Sequence, residues 1–191
     1  MTFRRIQALL LALLVWTTGL GLARPAWAAE GISVDSAQLQ RAPESAGWVV
    51  SADFRIELSD QQRDAINRGV ALPFTFEFEL LRPRWYWWDE RAVQEQRVYR
   101  LSYHALTRQY RLADDDAIRP YSTLQQALGE LSRLRGWRVM DIRRPQPGIL
   151  YKARIRLRLD VSLLAKPFQI SSLTSDDWTL QSEWKTVRFN P

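Results

Sequence analysis

The chain has 191 residues, with 27 lysines and arginines against 21 acids, a formal charge of +6, one histidine and no cysteine. The missing cysteines exclude disulfides, thiol nucleophiles, thiolate metal sites and acylation at a lipoprotein cysteine. A single histidine argues against a zinc site.

The first elements in the chain concern its address. Arg4 and Arg5 precede an apolar run, Ile6–Leu22, and Ala26-Trp27-Ala28 follows it. Basic head, apolar middle and small-x-small exit are the parts of a secretory signal peptide, so residues 1–28 are read as a Sec-type leader and residues 29–191 as one β-rich periplasmic domain. Removal of Arg4, Arg5 and Arg24 leaves 24 basic and 21 acidic residues, a net charge of +3. That balance gives no support to a nucleic-acid partner. The bias of arginine over lysine fits a genome rich in G and C. No second segment approaches the ~18 apolar residues of a membrane helix. Membrane contact is therefore expected only through the leader, if it stays uncleaved. A domain without disulfides outside the cytosol needs a strong apolar core.

The apolar pattern supplies one. Gly31–Gln40 is a short strand with Ile32 and Val34 on one face, and residues 42–47 form a loop. In Trp48–Leu58, six apolar side chains alternate with Val49, Ser51, Asp53, Arg55 and Glu57, which is period-two strand patterning. Ser59-x-x-Gln62 is a capping box opening a short helix, and Gly69 is its stop. Leu72–Leu80 alternates Phe74, Phe76, Phe78 and Leu80 against Thr75, Glu77 and Glu79. Val93–His104 is a long strand, and Gln109–Leu112 pairs back across a turn at Ala105–Arg108. Ser122-x-x-Gln125 is a second capping box. Leu124, Ala127, Leu128, Leu131 and Leu134 then form a helical stripe, and Gly136 ends it. Trp137–Ile142 reads as a strand and Arg143–Gly148 as a loop. Leu150–Leu159 alternates Ile155, Leu157 and Leu159 against Arg154, Arg156 and Arg158. Trp178, Leu180 and Trp184 share one face of the tail.

Strands outnumber helices and do not alternate with them. The expected fold is mainly β, with α+β as the alternative: an antiparallel β-sandwich or curled sheet with two short helices. Glu77 and Glu79 are expected across from Arg154, Arg156 and Arg158, in pairs worth only ~0.2–1 kcal/mol each.

Chemistry-bearing residues are few. Arg82, Arg84, Trp85, Tyr86, Trp87 and Trp88 form an aromatic–arginine segment suited to stacking on a sugar ring, a peptide or a charged headgroup. As a strand it would place Trp85 and Trp87 on one face and Tyr86 and Trp88 on the other, with one set plugging the core. His104 would have to serve any Ser-His-Asp triad, but no Gly-x-Ser-x-Gly elbow accompanies it; a half-buried strand histidine with a hydrogen-bond partner is expected instead. Asp114-Asp115-Asp116 lacks the spacing of a calcium loop and reads as a solvated turn. Asp176-Asp177 reads as a cap before Trp178. Glu77, Glu79, Asp89 and Glu90 could supply a carboxylate pair for glycoside hydrolysis, but the spacing selects none. No phosphate loop is present. No catalytic residue, metal site or cofactor is therefore assigned.

Three stretches carry a resemblance. Leu80-Leu81-Arg82-Pro83-Arg84-Trp85-Tyr86-Trp87-Trp88-Asp89-Glu90 is one, and Tyr99 to Leu112 is the second. The third runs from Leu157-Arg158-Leu159-Asp160 through Lys166-Pro167-Phe168 to Ser175-Asp176-Asp177-Trp178. Together they resemble the exported proteobacterial family known as domain of unknown function 4390, over nearly all of residues 29–191. The resemblance implies export and a single domain and supplies no catalytic residues. Its relatives' gene neighbourhoods imply a membrane sensor kinase of the nitrogen type as partner. The functional expectation is thus a non-enzymatic binding or adaptor domain of the cell envelope, with an envelope protein or membrane sensor as partner. The alternatives are an accessory to that sensor kinase and a carboxylate-dependent envelope hydrolase.

Overall fold

A computed structural model describes residues 31–42, 47–141, 143, 145–146, 148–166 and 178–187. The leader, the Asp176-Asp177 cap and part of the third resemblance stretch lie outside these residues. Among the described residues, nine strands form two antiparallel sheets, and two α-helices accompany them. The fold expected from alternation is therefore present.

The smaller sheet has the order β1-β2-β7, from Gly31–Arg41, Gly47–Glu57 and Arg133–Asp141. The larger has the order β6-β5-β4-β3-β8-β9, with β3 (Leu72–Arg82) at its centre, paired with β4 on one side and β8 (Lys152–Leu159) on the other. β4 spans Glu90–His104, β5 Gln109–Ala113, β6 Ile118–Tyr121 and β9 Lys185–Val187. The two sheets meet through the apolar faces that period-two spacing creates. Phe54 of β2 lies edge-on to Phe76 of β3 at 5.3 Å, and Phe76 lies edge-on to Tyr99 of β4 at 5.6 Å. In β1 a bulge between Val34 and Ser36 shifts the inward set from even to odd positions, so Leu39 is buried along with Ile32.

Helix α1 (Asp60–Asn67) starts with the expected reciprocal cap. The Gln62 backbone N–H donates to Ser59 Oγ at 3.2 Å, and the Ser59 N–H donates to Gln62 Oε1 at 3.2 Å. Gly69 ends it in the left-handed region, at φ 86°.

The second helix departs from expectation twice. α2 (Leu124–Leu131) is capped by Thr123, which accepts from the Gln126 N–H, while the Gln126 side chain accepts from Ser122 N–H. The cap is thus one residue later than Ser122-x-x-Gln125 predicts, at Thr123, which has the extended backbone, and the Gln126 side chain reaches back to Ser122 rather than closing a reciprocal box. Leu134 and Gly136 also leave the helix. They belong to β7, where Leu134 is buried against the other strands and Gly136 takes φ 58° within the strand. Leu134 falls three residues after Leu131 and so fits the helical stripe, but Leu134, Trp137 and Val139 are buried positions of β7, and pairing with β2 takes Leu134 out of the helix. Trp184 is the third departure. Trp178 and Leu180 enter the core, but Trp184 lies over the outer face of the large sheet, stacked on Arg154 and Arg156 at 4.3 and 4.5 Å.

Candidate functional site

The outer face of the large sheet carries the densest set of charges. Register places Glu77 beside Arg156 and Glu79 beside Arg154, as the alternation requires. Glu77 accepts from Arg156 Nε at 2.5 Å and Arg158 Nε at 2.7 Å. Glu79 accepts from Arg154 Nη2 at 2.6 Å, and Arg158 also donates to Asp160 at 2.7 Å. Both glutamates are buried, which the sequence pattern did not reveal. Burial pushes the Glu77 carboxyl up, but the two guanidiniums outweigh it and hold it below its ordinary value. A general acid needs the opposite shift. Nor do the other two carboxylate candidates join this pair: Glu90 accepts from Arg84 and Asp89 lies exposed in the connection beyond the strands.

Asp114 is a correction. It was expected in a solvated turn, but its side chain is only 2% exposed. It accepts from the N–H groups of Ala117 and Asp116, and it bridges Arg97 and Arg119 at 3.2 and 3.1 Å. Turn and ion pairs together close the β5–β6 connection, a hairpin that sequence reading missed because Ile118–Tyr121 is short and contains Pro120. No group of three or more metal-ligating side chains gathers among the described residues. His104 stands half-buried at the end of β4, its Nδ1 3.1 Å from Thr107 Oγ1, in keeping with a structural histidine.

Asp114, Glu77 and Asp160 make stability depend on acid in one direction. In each, burial raises the carboxyl but hydrogen bonds and arginines outweigh it, so the native value lies below the unfolded one. The contribution is therefore complete above the unfolded range of about 4 and is lost as pH falls through the native values. The midpoint of urea unfolding should be level between about pH 7 and 5 and drop below about pH 4. Urea titrations across that range check this, and a midpoint unchanged at pH 3 would contradict it.

Open grooves run along both sides of the sandwich where the sheet edges face each other. One of about 410 Å³ lies between Ala92–Glu95 of β4 and Arg138–Asp141 of β7, and one of about 540 Å³ between Ser36–Gln40 of β1 and Lys185–Thr186 of β9. In the second, Ser36 Oγ donates to Asp53 at 2.9 Å, but Arg135 also binds that carboxylate and holds it below its ordinary value, which weakens it as a base. A third cavity, under Phe76 and Leu131, measures about 20 Å³ and has room for about one water.

The aromatic–arginine segment is different. β3 ends at Arg82 and β4 begins at Glu90, and these two residues are register partners. The seven residues between them form a turn beyond the strands rather than a strand of their own. Arg84 Nη2 donates to Glu90 Oε2 at 2.5 Å and ties the turn to its base. No aromatic plugs the core: Trp85 is 95% exposed, Tyr86 64%, Trp87 69% and Trp88 83%. The expectation that one set is buried is thus overturned, because without strand geometry no face alternation aims the rings inward. Trp85 and Tyr86 meet edge to face at 5.4 Å. At 150–250 Å² per aromatic side chain, the four rings present roughly 450–800 Å² of mostly apolar surface. That matches or exceeds the largest apolar patch of an ordinary monomer, itself often functional.

Sequence reading missed three neighbours of this turn. Arg91 and Lys152 both pair with Leu81 from opposite sides, and Leu150, 79% exposed, lies two residues before Lys152. Only sheet register brings residues so distant in sequence to one end. The signal available was Leu150 itself, an apolar residue that precedes the buried alternation beginning at Ala153.

Residues 29–188 match the family described as Domain of unknown function (DUF4390), and the chain belongs to that family. No curated protein and no solved structure is similar enough to match.

Proposed function

We propose that this DUF4390 member is an exported, non-enzymatic binding domain of the cell envelope, and that the β3–β4 turn is its binding surface. One observation carries the reading: four consecutive aromatics, Trp85 to Trp88, stand exposed on a turn fixed by the Arg84–Glu90 ion pair. Stability gives no reason to display them, since burial is the usual fate of such side chains. A hydrolase reading draws no comparable support, because Glu77 and Glu79 are held by arginines.

The double variant Trp85→Ala/Trp87→Ala tests it. Both rings lie outside the core, so unfolding should shift by no more than about 0.5 kcal/mol. Crosslinking in the native envelope should then capture at least about tenfold less of whatever the wild type holds, as expected when central aromatic anchors are removed. Unchanged capture by a folded variant would remove the turn from the reading.

A further inference from the structure

We propose that the β3–β4 turn docks on the surface of an anionic lipid bilayer, with its aromatic rings at headgroup level. The inference rests on the reading of this turn as a binding surface and names what it binds. It departs from the expectation that the leader alone touches membrane.

Residue type is the first argument. Tryptophan and tyrosine favour the boundary between headgroups and acyl chains, where an apolar ring and a polar N–H or O–H are both accommodated. Three tryptophans and one tyrosine in succession are exposed here, and Leu150 adds an aliphatic side chain at the same end. Placement is the second. The rings sit on a turn past the ends of β3 and β4, so they lead the molecule toward a flat surface rather than line a groove.

Charge is the third argument. Arg82, Arg84, Arg91 and Lys152 surround the root of the turn, against Asp89, Glu90 and the buried Glu79, whose Oε1 is 3.8 Å from Arg91 Nε and which Arg154 also binds. Arginine and lysine stems can lie along the apolar region while their heads reach phosphate oxygens. Arg91 and Lys152 flank Leu81 on either side, which spreads positive charge across the sheet end rather than along one strand. A protein partner with an aromatic-lined pocket would need none of this breadth.

Vesicles of phosphatidylethanolamine, with and without phosphatidylglycerol, are the probe. The protein should co-sediment with the vesicles containing phosphatidylglycerol, and its tryptophan emission should shift to the blue. Each tryptophan of the turn changed to alanine should weaken partition about tenfold, given what burial of one ring contributes. Arg91→Gln/Lys152→Gln should remove most of the preference for the anionic vesicles, and added salt should do the same in the wild type. A folded protein that binds neither vesicle overturns the proposal, as does equal binding by Trp85→Ala/Trp87→Ala/Trp88→Ala. If vesicles fail while turn-dependent crosslinking in the envelope persists, the partner is a protein: the lipid assignment falls and the binding surface stands. If neither measurement responds to the turn, both fall.

Discussion

Phe76→Ala is expected to lower unfolding stability by about 3–5 kcal/mol, the range for a large aromatic removed from a well-packed core. Phe76 is 1% exposed, in a central strand of the large sheet, opposite Arg97 on one side and Leu157 on the other. Its ring makes edge-on contacts with Phe54 and Tyr99, so it joins the two sheets as well as two strands of one sheet. Truncation forfeits both aromatic contacts and enlarges the existing cavity beside it. Neighbours are held by strand pairing and cannot collapse inward freely, which places the cost at the upper end. Since domains of this size have about 5–15 kcal/mol in total, the variant should be partly unfolded near physiological temperature. Urea titration should show a lower midpoint at unchanged slope. A loss under about 1 kcal/mol would mean that the two sheets are not joined at Phe76.

Glu77→Ala is expected to cost about 2–4 kcal/mol. Loss of one partner of a buried ion pair is worth about 3–5 kcal/mol, and the arginines here retain some exposure, which reduces that figure. Their side chains are 26% exposed, against 9% for Glu77. Without the carboxylate, Arg156 and Arg158 face each other across one strand position with like charge, and Gln96 loses its acceptor at 3.4 Å. Arg158 keeps Asp160, so Arg156 should bear most of the cost. The double variant Glu77→Ala/Arg156→Ala should therefore recover at least about 1 kcal/mol relative to the sum of the single changes. Additive losses would show that the pair is not coupled. The single variant should also flatten the acid limb of the pH profile, since one of the carboxylates that create it is gone.

Much of this molecule was legible in its sequence, for a definite reason. Where one sheet face is buried, period two is imposed on every strand, and Phe74-x-Phe76-x-Phe78 and Ile155-x-Leu157-x-Leu159 carry that imprint openly. The Glu77–Arg156 and Glu79–Arg154 pairs follow from the same alternation. Burial of those pairs did not follow, because a charged outer face reads as solvated until Trp184 is known to fold over its arginines. The Thr123 cap was hidden by degeneracy, since neighbouring hydroxyls cap equally well on paper, and Leu134 was hidden because its spacing from Leu131 is helical although long-range pairing with β2 holds it in a strand. The functional turn was visible as a word, Trp-Tyr-Trp-Trp, but not as a surface. Its exposure depends on where β3 stops, and its basic collar depends on register between strands some seventy residues apart in the chain.

That separation bears on when the molecule can fold. β3 obtains one neighbour, β4, from the adjoining segment, and the other, β8, only after residues 152–159 have been made. β2 likewise waits for β7, and the cover over the arginine ladder arrives with Trp184. Pairings across such distances close slowly: the smaller sheet is complete only with β7 at Asp141, and the larger only with β9 at Val187. A nascent chain of this design cannot close its larger sheet before residues 185–187 have been made.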